Sequence, residues 1–111
     1  MQLSTREEGR VTILTVDGDL VIGEPEALFK KTVARLLEQG RSNFLVDLSR
    51  VGFLDSSGLG ALVRAMTTSQ NEGGQTKLLG VGPQVRKLLE MTRLDSVFEL
   101  YDDLETAAAS F

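Results

Sequence analysis

Cysteine and histidine are both absent from these 111 residues. Without cysteine there is no disulfide framework and no thiol chemistry. Without histidine the common zinc ligands are missing, and so is the usual general base near neutral pH. No apolar run approaches the ~20 residues of a membrane span. The first residues, Met1-Gln2-Leu3-Ser4-Thr5-Arg6-Glu7-Glu8, lack the pattern of a signal peptide. No run of Lys and Arg exists to track a phosphate backbone, and the formal net charge is −4, which argues against a nucleic-acid partner. The expectation is a cytoplasmic protein with no metal, no cofactor and no direct membrane insertion.

What is present supports a folded domain. Hydrophobic residues make up 41% of the chain, enough for a packed core. The length allows one domain, 1–111, and no second independent core. Residues 2–7 and 11–17 read as strands joined by a hairpin at Glu8-Gly9. Val11, Ile13, Leu14 and Val16 place apolar side chains on both faces of the second strand, which belongs inside the sheet. Pro25 suits the first turn of a helix, with Glu24 and Glu26 favoured by its dipole. Phe29, Val33, Leu36 and Leu37 form the helical stripe, and Gly40 is its stop.

Phe44 to Leu48 reads as a buried central strand. A helix then runs to about Gln70, with Leu59, Leu62, Val63 and Met66 on its apolar side. Lys77 to Val81 is a fourth strand, and Pro83 starts a helix carrying Val85, Leu88 and Leu89. Val97 to Leu100 reads as a short edge strand. Asp102 and Glu105, at capping-box spacing, begin a last helix packed through Leu104, Ala107, Ala108 and Phe111. The order is β-β-α-β-α-β-α-β-α. It predicts an α/β fold with a mixed, mostly parallel sheet of about five strands and about four helices, chiefly on one face.

Asp55-Ser56-Ser57-Gly58-Leu59-Gly60 is the most informative stretch. It places two hydroxyls and a carboxylate at a helix N-terminus. Unpaired N–H groups and the helix dipole favour an anion there, and a phosphoryl group would change the local charge sharply. On local chemistry alone the serines read first as helix caps. Either serine could cap while the other points outward. Gly58, without a Cβ, leaves room for a partner backbone or a nucleotide to approach.

The run Val46-Asp47-Leu48-Ser49-Arg50-Val51-Gly52-Phe53-Leu54-Asp55-Ser56-Ser57-Gly58-Leu59-Gly60 resembles the signature of bacterial anti-sigma factor antagonists of the STAS domain family. Gly18-Asp19-Leu20, Lys77-Leu78-Leu79, Val85 to Leu94 and Val97-Phe98 extend the resemblance over almost the whole chain. It implies a STAS-like fold and a phosphoacceptor at Ser56, with Ser57 as the alternative. It also implies partner switching in transcription regulation. The unphosphorylated antagonist binds an anti-sigma factor that is itself a serine kinase of the histidine-kinase-like ATPase fold, and the sigma factor is freed. Phosphorylation expels the antagonist, and a PP2C-type phosphatase resets it. The expected contact residues are Asp19, Phe53, Leu54, Asp55, Ser56, Ser57, Gly58 and Leu59, with burial an equal reading for the apolar pair Phe53 and Leu54. One departure is Val21, where many members carry an aspartate.

Other readings compete. A STAS-like scaffold subunit of a sensory complex, or of a lipid transporter, needs no phosphoserine cycle. A phospho-aspartate receiver would gather Asp17, Asp19 and Asp47 around Mg²⁺, although the opening hairpin fits it poorly. Asp47 reads more simply as a ligand for local backbone groups. A hydrolase is disfavoured, because Ser56 has no histidine, and no lysine nearby in sequence, to activate it. The chain is thus expected to be a regulator and not an enzyme. A weak homodimer through a sheet edge is a further expectation.

Overall fold

The computed structural model describes all residues, Met1–Phe111. Its sheet has five strands in the order β1-β2-β3-β4-β5. They are β1 (Gln2–Glu8), β2 (Val11–Asp17), β3 (Asn43–Arg50), β4 (Gln75–Leu79) and β5 (Leu100–Tyr101). β1 is antiparallel to β2, with Glu8 opposite Val11, and every other pairing is parallel. The hairpin turn is Gly9-Arg10, one residue later than expected. Gly9 takes a φ of 63° there, which a residue without a Cβ adopts at little cost.

Three helices, α1 (Glu24–Glu38), α2 (Ser56–Asn71) and α3 (Pro83–Met91), cover one face. Strand alternation explains the packing. Leu14, Val16, Phe44, Val46, Leu48 and Leu78 point to these helices and meet Phe29, Leu36, Leu62 and Leu89 in the main core. Val11, Ile13, Leu45 and Leu79 point the other way. They are covered by α4 (Leu104–Ala109) through Ala107, with Leu104 and Phe111 alongside. The expected one-sided arrangement therefore holds for three helices and not for the fourth.

Further boundaries differ from expectation. β4 ends at Leu79 because Gly80 turns with a φ of 70°, so Val81 is buried from a loop and not from a strand. Val97-Phe98 is not a strand. A 3₁₀ turn at Leu94–Ser96 precedes it, Phe98 plugs the core, and the strand is Leu100–Tyr101. The α4 cap is Asp103 and not Asp102. Its carboxylate accepts from the Thr106 N–H at 2.9 Å and the Thr106 hydroxyl at 2.8 Å. Those bonds to its charged form hold the Asp103 pKa below the usual carboxylate value.

Candidate functional site

The site forms where two connections leave the sheet side by side. The segment after β2 runs along the segment after β3. The Gly18 N–H donates to the Arg50 carbonyl at 3.1 Å, and the Leu20 N–H donates to the Phe53 carbonyl at 3.2 Å. Leu20 and Leu54 form an isolated parallel bridge and are both buried. The sheet is thus continued for one more step, and α2 starts directly from it.

Asp55 fastens this junction with both carboxylate oxygens. Oδ1 accepts from the Gly58 N–H at 2.8 Å, which caps α2. Oδ2 accepts from the Ile22 N–H at 2.9 Å, 33 residues away in sequence. These bonds, Ile22 first and then Gly58, hold the Asp55 pKa below the usual carboxylate value. Asp55 is therefore a fixed negative charge beside the two serines. The capping role that sequence left open between Ser56 and Ser57 belongs to Asp55. Ser56, the first residue of α2, is exposed, and Ser57 is half-buried. Both hydroxyls stand at the positive end of the helix dipole.

Gly58 has a different reason from the one expected. It is buried, and a Cβ on it would overlap the Leu20 carbonyl oxygen. The backbone that approaches it is the chain's own. Leu54 and Leu59 are buried as well, and with Gly58 they support the site from inside. Asp19, Phe53 and Ser56 are exposed. Val21 is half-buried, and its carbonyl accepts from the Glu26 N–H at 3.1 Å.

Sequence reasoning missed the contribution of α3. Phe53 and Leu54 form a shallow cleft of about 180 Å³ with Gln84, Lys87, Leu88 and Met91. Phe53 is 49% exposed and Met91 73% exposed, high values for large apolar side chains. Met91 thus projects into solvent, while Met66 packs on the core as expected. The signal available in the sequence was Met91 itself, one turn beyond Leu88 on an amphipathic helix.

The three aspartates of the receiver reading do not converge. Asp47 Oδ1 accepts from the Ser49 N–H at 3.0 Å and the Ser49 hydroxyl at 2.7 Å. Asp17 faces Arg50 at 3.5 Å. Both line a polar hollow on the open half of the sheet, whereas Asp19 lies in the connection after β2, near Gly52. No group of three or more Asp, Glu, His or Cys is arranged to hold a metal. No helix is long and apolar enough to cross a membrane.

Comparison with known proteins agrees with this architecture. The TM1081 homolog of Thermotoga neapolitana, named as a candidate anti-sigma factor antagonist, is 34% identical over 98 residues, covering 87% of this chain and 86% of that protein. The anti-sigma F factor antagonist of Paenibacillus polymyxa is 23% identical over 103 residues, covering 93% of this chain and 88% of the relative. The crystal structure of TM1081 from Thermotoga maritima superposes with a TM-score of 0.91 at 29% identity, covering 97% of this chain and 92% of that one. The Bacillus cell fate determinant SpoIIAA in its phosphorylated form shares the fold at 21% identity, with a TM-score of 0.79 over 98% of each chain. A family model described as the STAS domain matches residues 2–107, and with this match the chain belongs to the STAS domain family.

Proposed function

We propose that the protein is an anti-sigma factor antagonist that binds its anti-sigma factor through the surface around Ser56 and is expelled when Ser56 is phosphorylated. The observation that carries this reading is the division of labour at the start of α2. Asp55 takes the cap, and Ser56 is left exposed at the first helical position. A hydroxyl with no structural duty, on a turn fixed from both sides, is what a kinase substrate requires. Names of relatives support the antagonist role. The partner in this reading is a serine kinase of the histidine-kinase-like ATPase fold, and a PP2C-type phosphatase reverses the modification.

The geometry gives the switch a direction. A phosphoryl group adds about −1.5 to −2 charges at pH 7. The α2 dipole offsets part of that charge within the protein. Asp55, ionised and adjacent, does not. A surface that accepted a neutral hydroxyl beside one carboxylate would then face nearly three negative charges, roughly, by the same count. The fold survives because no contact of Ser56 is lost, and binding is lost through repulsion and desolvation.

The test uses wild type, Ser56→Ala and Ser56→Asp as baits in lysate of the native host, read by mass spectrometry, with thermal melts of all three. An ATPase-fold serine kinase retained by wild type and Ser56→Ala but lost with Ser56→Asp, at melting temperatures within a few degrees, is the expected result. Identical partners for all three baits would assign the chain to a scaffold or transporter complex. A largely unfolded Ser56→Asp would refute the separation of fold from switch.

A further inference from the structure

A second feature lies on the same helix but away from Ser56. Between α1 and α2 the surface dips into an apolar notch of about 120 Å³. Its floor is the core itself, formed by Phe29, Val33, Ala61 and Ala65, all buried. The notch exists because small side chains meet across the two helices: Ala34 on one wall, Ala61 and Ala65 on the other. An engineered apolar cavity of about 150 Å³ admits benzene, so a short aliphatic chain or a single ring is the right scale.

The rim is not neutral. The chain has 16 acidic and 12 basic residues, yet the charged side chains lining this notch are both cations, Lys30 and Arg64. Lys30 already pairs with Glu26 at 2.9 Å. Arg64 is exposed and takes part in none of the protein's ion pairs. An apolar pit beside an unpaired guanidinium matches one kind of small ligand. Its tail would leave water, and its carboxylate would meet the planar donors of the arginine.

We infer that the α1–α2 notch binds a small carboxylic acid with a short apolar tail, the tail between Ala34 and Ala61 and the carboxylate on Arg64. This goes beyond the antagonist role and does not depend on it. Because Arg64 and Ala61 belong to the helix that starts at Ser56, such a ligand would report a metabolite to the helix that carries the proposed phosphoacceptor.

The experiment is a titration of the ¹⁵N-labelled full chain with hexanoate, at constant ionic strength and pH 7, followed by amide shifts. Saturable shifts centred on Ala34, Ala61, Arg64 and Ala65 are expected, with a dissociation constant on the order of 1 mM for a ligand of this size. Hexanol should bind about tenfold more weakly, the loss of one charge-assisted contact. Arg64→Gln should erase that preference for the acid. Ala34→Leu, a change on the exposed wall that fills the notch, should abolish binding while leaving the melting temperature unchanged. Shifts that do not saturate, equal affinity for acid and alcohol, or undiminished binding by Ala34→Leu would each overturn the assignment.

Discussion

Gly58 and Gly60 stand two positions apart on α2 and meet opposite surroundings. At Gly58 a methyl group would collide with the Leu20 carbonyl oxygen and come within 2.9 Å of the Leu20 carbonyl carbon and 3.0 Å of Leu54 Cδ1. Backbone cannot yield as a flexible side chain can. Gly58→Ala should therefore lose about 2–3 kcal/mol, the upper part of the usual overpacking range. At Gly60 nothing lies within 4 Å of the added carbon, and the residue is exposed. Gly60→Ala should gain about 0.5–1 kcal/mol, the helix-interior difference between the two residues. Urea unfolding of both variants checks the pair. If Gly58→Ala melted like wild type, the close approach of α2 to the Leu20 segment would not be what holds the site. The motif Asp55-Ser56-Ser57-Gly58 was visible in the sequence, but the reason for its glycine was not. The atom that Gly58 must admit comes from a residue 38 positions earlier, and no local pattern encodes that distance.

Among the elements, α4 has the least helix of its own and the most specific anchor. It is six residues long, too short to be stable in isolation. Beneath it lies Lys77 of β4, with a side chain only 4% exposed. Its ammonium donates to the Ser110 carbonyl at 2.8 Å and to the Ser110 hydroxyl at 2.9 Å. The same group lies 4.8 Å from the Phe111 ring centroid and 3.4 Å from a Glu99 carboxylate oxygen. The contacts give the buried lysine partners on several sides, so its polar end is not left unpaired. Lys77→Ala should release α4 from the sheet. Hydrogen exchange should then show lost protection at 104–109 and near-native protection in β2 and β3. Uniform loss throughout the chain would show that α4 and the sheet unfold as one unit. Lys77 also shows where sequence reading fails at this scale. In a run of Lys77-Leu78-Leu79-Gly80-Val81 the strand is recognisable, yet its frame is set by Gly80 and by pairing with β3. The lysine's burial depends on residues 33 positions later. The two-sided apolar strands β2 and β3 and the Pro-led helices α1 and α3 were legible because their patterns are local.

For the whole molecule, acid is the informative variable. No side chain is a histidine, so the class of group that ordinarily titrates between pH 5 and 8 is missing. Three carboxylates have lowered pKa values, and two of them, Asp55 and Glu99, tie distant parts together. Asp55 is lowered by the Ile22 and Gly58 N–H groups, joining the two connections at the site. Glu99 is lowered first by the Tyr101 hydroxyl and then by Lys77, near α4. Asp103 is lowered by the N–H and hydroxyl of Thr106, at the start of α4. Each group binds its proton less readily folded than unfolded. Its contribution is therefore complete above the unfolded values of 4.5 for Glu99 and 3.8 for the two aspartates, and is lost as pH falls through the lower folded values. Melting temperature should be flat from about pH 5.5 to 8 and fall below about pH 4, the range these carboxylates define. Asp55→Asn separates the site's share from the rest. The amide keeps one acceptor oxygen and cannot serve both Gly58 and Ile22 as the carboxylate does. The variant should melt lower than wild type at pH 7, and the gap should narrow as pH drops below 4, because protonation weakens the same two bonds in wild type. A gap that stayed constant down to pH 2.5 would mean that the Asp55 charge contributes nothing to joining the two connections, and that shape alone aligns Ser56 on α2.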